Sequence, residues 1–283
     1  MTIEDRIFEE VARTAPEISS GMLRRREGVG EENSSGEEQL EADLHANRLL
    51  KERLTALEGV GQFASEEEED VIECGEGVSV TVDPLDGSSN VKSNNLTGTI
   101  VAIYNEELPA PGHTITSAFY IVYGPLTTAI RSKDDQVHEH VIEDHRDGVK
   151  IHTLNEGLEL PEPKVYGFGG GDDRWTSDFA SFADEIRQEM KLRYGGAFVG
   201  DTKQILKHGG MFSYPHLEER PEGKLRLIFE ANPMAHIFHN AGGASSDGER
   251  SILEKEPEHI HERTPVHVGN RELIERLESH LEG

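Results

Sequence analysis

One stretch, residues 82–90, constrains this chain more than any other: Val-Asp-Pro-Leu-Asp-Gly-Ser-Ser-Asn. It follows the alternating apolar run 78–82, whose period of two is typical of a strand. Because proline cannot donate to a sheet ladder and Gly87 tolerates a positive φ, the strand is expected to stop and turn here. Asp83 and Asp86 would then lie at the strand end, where their oxygens can converge on a hard cation such as Mg²⁺.

The residues after the second carboxylate favour a phosphate group. Gly87 and Ser88 offer backbone N–H groups at the start of the next segment, an arrangement in which proteins hold phosphate. The competing interpretation is an ordinary surface turn, because Asp, Pro and Gly are common in turns. At average residue usage, Asp-Pro-x-Asp-Gly followed by two hydroxyl residues occurs by chance at about 1 in 10⁷ positions. The stretch therefore predicts a loop that binds metal and phosphate.

Length and composition exclude several classes of protein. The 283 residues suffice for one large domain or for two coupled subdomains, each with its own core. Hydrophobic residues make up 35%, and no run approaches the ~18 apolar residues of a membrane span. Cys74 is the only cysteine, so an internal disulfide and a cysteine-based metal site are excluded. Because the N-terminus lacks a signal-peptide pattern, we expect a cytoplasmic protein.

The charge is strongly negative, with 55 acidic against 28 basic side chains and a formal net charge of −27. Such a field repels nucleic acids and anionic membranes, so we expect neither as a partner. An anionic substrate would need metal ions or a local group of cations. The acidic residues are spread along the whole chain, which argues against an acidic tail and favours adaptation to high salt, where screening suppresses self-repulsion.

Hydrophobic periodicity predicts helices followed by strands in the first half of the chain. Residues 3–11 have the spacing of a short amphipathic helix, and residues 40–57 that of a long one that carries Asp43. Residues 24–38 between them are polar and contain glycines, which predicts either a loop that closes over a site or plain disorder. Apolar β-branched runs predict strands at 98–104, 114–123, 127–131 and 149–154.

Strands and helices alternate in the second half, after a proline-containing linker at 160–163. Strands are predicted at 165–168 and 225–229, and helices at 178–190, 197–206, 232–240 and 271–281. Since such alternation suggests helices layered on a sheet, we divide the chain into an N-terminal part, 1–145, and a C-terminal part, 146–283. The glycines 169–171 fit neither a Walker loop nor a dinucleotide motif and are interpreted as a hinge or turn.

Six blocks of the sequence resemble, in this order, the type I fructose-1,6-bisphosphatase family of metal-dependent sugar-phosphate phosphatases. The blocks lie at 65–67, 82–90, 154–157, 193–196, 223–235 and 260–265. The resemblance covers the chain from about residue 37 to its end and implies an α/β (α+β) fold, a layered α/β/α/β/α sandwich of the fructose-bisphosphatase and inositol-phosphatase type. Inositol monophosphatases share the second block, but they usually carry a Trp-Asp pair in place of the segment 224–235.

The resemblance also implies a metal centre and a reaction centre. The matching metal ligands are Glu66, Glu67, Asp83, the Leu85 carbonyl, Asp86 and Glu230. They would hold two or three Mg²⁺ ions per subunit, with Mn²⁺ as a substitute. Asp43 would orient or deprotonate the attacking water together with Glu66, and Arg226 would meet the reacting phosphate. Taken alone, a run of glutamates is more often a solvated surface, and residues 68–70 keep that interpretation.

The remaining implied contacts concern the substrate and the assembly. Gly87, Ser88 and Ser89 would bind the reacting phosphate, and Asn155, Tyr194, Tyr214 and Lys224 would hold the sugar and its distal 6-phosphate. Arg193 would reach the 6-phosphate of a neighbouring subunit, which implies a homodimer or homotetramer; the alternative for Arg193 is a surface salt bridge. Residues that match the AMP site of regulated members are missing at 77–78 and at Asn105, so we expect no strong inhibition by AMP.

The predicted function is Mg²⁺-dependent hydrolysis of the 1-phosphate of fructose 1,6-bisphosphate, a step of gluconeogenesis. One alternative is a sedoheptulose-bisphosphatase or an inositol-phosphate phosphatase, which the same metal core would serve. An alternative from a different class is a non-catalytic regulator that binds sugar phosphates. The complete set of matching carboxylates, together with Asp43, argues against the regulator.

Overall fold

The structure is a computed structural model that describes residues 1–23, 28–32 and 38–282. The helices of this described part are α1 (Ile3–Met22), α2 (Glu41–Leu54), α3 (Ser177–Glu189), α4 (Phe198–His208), α5 (Asn232–Asn240) and α6 (Arg271–Leu281). Its strands are β1 (Gly28–Glu32), β2 (Glu38–Leu40), β3 (Val60–Ser65), β4 (Ile72–Glu73), β5 (Val78–Asp86), β6 (Thr97–Tyr104), β7 (Ile115–Tyr123), β8 (Thr127–Lys133), β9 (Gln136–His145), β10 (Gly148–Asn155), β11 (Val165–Phe168), β12 (Lys191–Leu192), β13 (Gly210–Tyr214), β14 (Leu225–Arg226), β15 (Ala244–Ser246), β16 (Arg263–Thr264) and β17 (Val266–Gly269).

Two sheets carry the architecture. The first has the strand order β10-β9-β8-β7-β6-β5-β3-β4 and is antiparallel except for the parallel pair β3–β5. The second has the order β12-β11-β13-β17-β15, in which β11 is parallel to both β12 and β13. Two separate pairs, β1–β2 and β14–β16, complete the strands of the described residues.

Three apolar clusters show how the layers stack. The first joins α1 and α2 to the outer face of the first sheet, the second places α4 and α5 between the two sheets, and the third covers the second sheet with α3 and α6. Representative buried side chains are Phe8, Leu50 and Val80 in the first cluster, Tyr104, Ile205 and Phe212 in the second, and Phe182, Met211 and Leu277 in the third. This order of layers confirms the predicted α/β/α/β/α sandwich.

The predicted elements differ from the observed ones at two places near the site. Only Leu225–Arg226 of the predicted strand 225–229 pairs as a strand, and Leu227–Ala231 forms a π-helical turn. An apolar run this short does not distinguish a strand from a buried helical turn. Strand β5 also continues through the proline to Asp86 instead of stopping, because its ladder with β6 becomes irregular there and tolerates a missing donor.

The loop predicted at residues 24–38 is only partly described. Gly28–Glu32 pairs antiparallel with Glu38–Leu40 at the start of α2, and residues 24–27 and 33–37 lie outside the described residues. None of the helices in the described part of the chain is both long enough and apolar enough to cross a bilayer.

The junction between the two parts of the chain follows β10. The predicted boundary between residues 145 and 146 falls in the turn between β9 and β10, and both strands belong to the first sheet. Residues 156–164 then lead to β11 in the second sheet. We propose this connecting segment as the boundary between the two subdomains.

Candidate active site

Two carboxylates lie where β5 becomes irregular. Asp83 pairs opposite Ile100 of β6, and the regular ladder is interrupted before Asp86. One oxygen of Asp83 accepts the backbone N–H of Leu85 at 3.0 Å. Asp86 accepts the backbone N–H of Val199, in the first turn of α4, at 2.8 Å. The irregular end of the strand is therefore held by its own side chains and by a helix of the other subdomain.

A third carboxylate comes from the π-helical turn. Glu230 accepts the backbone N–H of Arg226 at 2.6 Å, four residues earlier. Asp83, Asp86 and Glu230 are buried, and each places one carboxylate oxygen within 4.8 Å of the other two. A buried set of oxygen donors of this kind fits a hard cation such as Mg²⁺.

Burial and mutual repulsion disfavour negative charge in this cluster. Burial raises the pKa of Asp83 well above its ordinary value, and the neighbouring carboxylates, first Glu66, raise it further. Burial raises the pKa of Glu230 in the same way, with added repulsion from Glu66 and Asp86. The pKa of Asp86 rises to about 7, mainly through burial, although the N–H of Val199 opposes the shift. A bound cation would compensate these charges, so the residues present fit a metal.

The three carboxylates line a cavity of about 300 Å³. Eleven other residues predicted from the sequence line the same cavity: Asp43, Glu66, Glu67, Leu85, Gly87, Ser88, Ser89, Tyr194, Tyr214, Lys224 and Arg226. They come from α2, from the segment after β3, from β5 and the turn that follows it, and from the second subdomain. Gly87 has φ +71°, a conformation that favours glycine, and this turn carries Ser88 and Ser89 into the cavity wall.

Arg226 is the buried cation of the cavity, with 3% of its surface exposed. Its Nε lies 3.4 Å from Oε1 of Glu66, and its Nη1 donates to the carbonyl of His261 at 3.2 Å. Its buried Nη2 has no hydrogen-bond partner among the described residues. Because buried polar groups are normally paired, this guanidinium is suited to an anionic ligand that enters the cavity.

The acidic loop after β3 is anchored by Glu68. The sequence predicted Glu68 as a solvated residue, but its side chain accepts the Asn47 amide and the Lys51 ammonium, both at 2.8 Å. The His261 ring contacts the Glu68 carbonyl at 2.8 Å through Nε2. Glu68 therefore ties the loop that carries the two predicted metal ligands to α2, the helix of Asp43.

Asp43 lies at the start of α2 and is buried. Its Oδ2 accepts the backbone N–H of Leu40 at 2.8 Å, which stabilises the first turn of the helix. The same side chain lines the cavity. This arrangement places a helix-anchored carboxylate in the wall of the cavity that Asp83, Asp86 and Glu230 also line.

Asn155 does not lie at the cavity, which corrects its predicted role. It ends β10, the outermost strand of the first sheet, and its exposed amide donates to Glu139 at 2.6 Å. Four strands separate β10 from β5 in the sheet order. A short Asn-Glu-Gly match cannot indicate where in a sheet its strand will pair.

Arg193 also lies outside this cavity. It is exposed, its Nη1 donates to the Leu192 carbonyl at 3.1 Å, and it lines a smaller neighbouring cavity of about 180 Å³ together with Tyr194. Its predicted contact with a neighbouring subunit therefore stays a prediction.

Three charged residues of the cavity were not predicted from the sequence: Lys92, Asp201 and Arg263. Arg263 pairs opposite Arg226 in the β14–β16 ladder and donates to the Lys224 carbonyl at 2.7 Å. It belongs to the block 260–265 that resembles the family, so the sequence did contain a signal that could have identified it as a site residue. Asp201 is buried and accepts the N–H groups of Gly195 and Gly196 at 2.5 and 3.1 Å, but an acidic residue on a helix gives no sign of this in the sequence.

The charge balance of the cavity is negative. Its lining contains seven carboxylates (Asp43, Glu66, Glu67, Asp83, Asp86, Asp201 and Glu230) and four cations (Lys92, Lys224, Arg226 and Arg263). A phosphate ester would meet more like than opposite charge. With its carboxylates ionised, the cavity is therefore suited to an anionic substrate when further cations are bound among them.

Two family models and several curated relatives match nearly the whole chain. The family model described as "Fructose-1-6-bisphosphatase, N-terminal domain" matches residues 18–154, and that described as "Fructose-1-6-bisphosphatase, C-terminal domain" matches residues 160–282. The chain is 52% identical to fructose-1,6-bisphosphatase class 1 of Natronomonas pharaonis, over 98% of each chain. It is 45% identical to a class 1 enzyme of Haloarcula marismortui, over 98% of this chain and 94% of that one.

A solved structure matches over the same length. The crystal structure of Leishmania major fructose-1,6-bisphosphatase in holo form superposes with a TM-score of 0.91 at 26% sequence identity. The match covers 98% of this chain and 94% of that chain. Both sheets and the cavity between the two subdomains therefore fall within the shared fold.

Proposed function

This chain belongs to the fructose-1,6-bisphosphatase family, and from that premise we propose that it is a metal-dependent phosphatase that releases the 1-phosphate of fructose 1,6-bisphosphate. The observation that carries the proposal is the buried triplet Asp83, Asp86 and Glu230 beside Arg226, whose Nη2 has no partner among the described residues. Carboxylates that can hold divalent cations next to an unsatisfied guanidinium are what transfer of a phosphoryl group to water requires.

We propose that the metal ligands are the buried triplet together with Glu66, Glu67 and the Leu85 carbonyl, all of which line the cavity. Two or three Mg²⁺ ions, or Mn²⁺ in their place, would neutralise the phosphoryl oxygens, lower the pKa of a water molecule and stabilise the leaving alkoxide. Ca²⁺ is less suited to this site than Mg²⁺, because Mg²⁺ is commonly bound through a few carboxylates plus the phosphate of the substrate.

The protein's own groups supply orientation, proton transfer and charge. Asp43, held at the N-terminus of α2, would accept a proton from the attacking water together with Glu66. Arg226 would donate to the phosphoryl oxygens, whose negative charge is spread in the transition state. The backbone N–H groups of Gly87 and Ser88 would hold the same phosphate in line with the water.

The other end of the cavity suits the sugar and its second phosphate. Tyr194, Tyr214 and Lys224 line it, and the Lys224 ammonium lies 5.8 Å from the ring centroid of Tyr214. Burial raises the pKa of Tyr194 to about 12, so its hydroxyl keeps its proton and can donate to a phosphate oxygen. We also propose a homo-oligomer in which the exposed Arg193 reaches the substrate of a neighbouring subunit.

Phosphate release from a panel of sugar phosphates tests this function. With Mg²⁺, we expect kcat/KM for fructose 1,6-bisphosphate to exceed that for sedoheptulose 1,7-bisphosphate and inositol 1-phosphate by at least ~10-fold, since we propose that the tyrosine and lysine wall receives the distal phosphate of a hexose bisphosphate. Removal of divalent cations with EDTA should abolish turnover. Preference for another member of the panel would reassign the substrate, and binding without turnover would favour the regulator.

The acidic surface leads to a second, independent test. We propose a cytoplasmic protein adapted to high salt, because the net charge of −27 is spread along the chain and the relatives include proteins of Natronomonas, Haloarcula and Halobacterium. Screening in molar KCl should relieve the self-repulsion, so we expect a higher Tm and higher activity in 2–3 M KCl (roughly a 3 Å Debye length or less) than in dilute buffer. Equal Tm and equal activity in both solutions would contradict the adaptation.

A further inference from the structure

The glycine that follows β11 lies at the centre of the substrate end of the cavity. β11 runs parallel to both of its neighbours, β12 and β13, so the carboxyl ends of the three strands lie at one edge of the sheet. Ligands of such sheets bind outside that edge. Tyr194 follows β12 by two residues, Tyr214 ends β13, and Gly169 directly follows the strand between them.

Both tyrosines contact the position that a side chain of residue 169 would occupy. A Cβ atom on Gly169 would lie 2.5 Å from Cδ2 and 2.6 Å from Cε2 of Tyr214, and 3.1 Å from the hydroxyl oxygen of Tyr194. Contacts below 3.0 Å are essentially never made by real Cβ atoms. The Tyr214 ring therefore packs against the backbone of Gly169, and the Tyr194 hydroxyl lies next to the same Cβ position.

The backbone of Gly169 is held on both sides. Its N–H donates to the carbonyl of Ser213 at 2.9 Å, and its carbonyl accepts the indole N–H of Trp175 at 2.8 Å. Its φ lies outside the left-handed region, so alanine would suit the backbone. Glycine is required here for space rather than for conformation, and an added methyl group would have to displace the tyrosines.

We propose that Gly169 is a positioning residue that seats Tyr194 and Tyr214 for recognition of the second phosphate of the substrate. The proposal rests on the proposed function and deepens it, because it concerns the selection of a doubly phosphorylated sugar. Displacing the Tyr214 ring also moves the surface that the Lys224 ammonium faces. The three atoms nearest to the added methyl group belong to the tyrosines, and none belongs to a proposed metal ligand.

Gly169→Ala separates substrate selection from the chemistry. The experiment compares fructose 1,6-bisphosphate with fructose 1-phosphate, which has the same reacting group and no distal phosphate. For Gly169→Ala we expect KM for the bisphosphate to rise at least ~10-fold with little change in kcat, and kcat/KM for fructose 1-phosphate to stay within about twofold of the wild-type value. A general loss of structure would lower kcat/KM for both substrates.

Gly195→Ala is the matched control. It adds the same methyl group to another segment at this edge of the sheet, where the nearest atoms lie at 3.4 and 3.8 Å, an ordinary contact. We expect both substrates to be turned over as by the wild type. An equal change for the two substrates in Gly169→Ala, or no change for either, would overturn the positioning role and leave the proposed function intact; a wild type inactive on the bisphosphate would overturn both.

A double variant covers the case in which Gly169→Ala fails to fold. Tyr214→Ala removes the ring that the methyl group would strike, so Gly169→Ala/Tyr214→Ala should unfold cooperatively with a Tm near that of Tyr214→Ala alone. It should also show the same selective loss of bisphosphate affinity as Tyr214→Ala, because both of the contacts shorter than 3.0 Å that the added methyl group would make are to the Tyr214 ring. A double variant that stays unfolded, or that loses fructose 1-phosphate turnover as well, would contradict the proposal.

Discussion

Asp83→Asn is expected to lower kcat/KM by at least ~10³-fold while it makes the metal-free protein more resistant to heat at pH 8. The activity falls because a ligand of the proposed Mg²⁺ ions is lost, and metal ions supply several kcal/mol of transition-state stabilisation. The stability rises because Asp83 is buried among Glu66, Asp86 and Glu230, whose charges repel its own. Asparagine keeps the oxygen that accepts the Leu85 N–H and removes the charge.

The pH dependence of the metal-free protein follows from the same cluster. Burial and the neighbouring carboxylates raise the pKa of Asp83 in the folded protein well above its ordinary value, so as the pH rises above ~4 the folded protein holds a proton there that the unfolded chain has already released. Stability contributed by a raised carboxyl pKa is present at low pH and is lost as the pH rises through the folded value. We therefore expect the advantage of Asp83→Asn over the wild type in Tm to grow from pH 5 to pH 8, and added Mg²⁺ to raise the Tm of the wild type more than that of the variant.

Asp70→Asn is the matched control for this experiment. It removes one negative charge from the exposed end of the same acidic run and touches neither the cluster nor the cavity. Both its activity and its Mg²⁺-dependent Tm should equal those of the wild type, measured by phosphate release and by thermal unfolding. If Asp83→Asn kept turnover, or if it lowered the Tm of the metal-free protein at pH 8, the assignment of Asp83 to a repulsive metal site would be wrong.

The sequence predicted the cluster of carboxylates better than the opposite wall of the cavity, for a physical reason. Carboxylates that bind metal must sit at fixed spacings next to a strand end, and the residues 82–90 carry that pattern in one continuous stretch. Glu230 was predicted as a metal ligand only from the family resemblance. In the structure a π-helical turn brings its carboxylate back to the backbone N–H of Arg226. No periodicity in the sequence indicates such a turn.

The proposed substrate end is assembled from residues that come together only when strands pair. Asn155 was predicted to contact the substrate from a short motif, yet its strand pairs at the outer edge of the first sheet. Gly169 was interpreted as a hinge or turn. In the structure the ring of Tyr214 at the end of β13 and the hydroxyl of Tyr194, two residues beyond β12, both approach the position that its side chain would occupy. A residue that acts by having no side chain gives no chemical signal in a sequence, and only the register of β11 with β13 reveals it.

Arg226→Lys is expected to lower kcat/KM about 100-fold, the usual effect of losing one positioned donor to a developing charge. Lysine keeps the positive charge next to Glu66, but it has no planar fork with which to contact Glu66, the His261 carbonyl and a phosphate oxygen together. Mg²⁺ should therefore still raise the Tm of this variant as it does in the wild type. Phosphate release and thermal unfolding, each with and without Mg²⁺, measure the two effects separately.

Arg226→Met shows whether the charge of Arg226 has a separate role from its geometry. Arg226→Met removes the buried positive charge that faces Glu66 and that opposes the rise in the pKa of Glu230, so the metal-free variant should have a lower Tm than metal-free Arg226→Lys. Arg250→Lys, an exposed substitution of the same type, should change neither activity nor Tm. Equal activity of Arg226→Lys and wild type would mean that the guanidinium fork does not meet the phosphate. Equal Tm values for the two Arg226 variants would mean that the stability of the metal-free protein does not depend on a positive charge at residue 226.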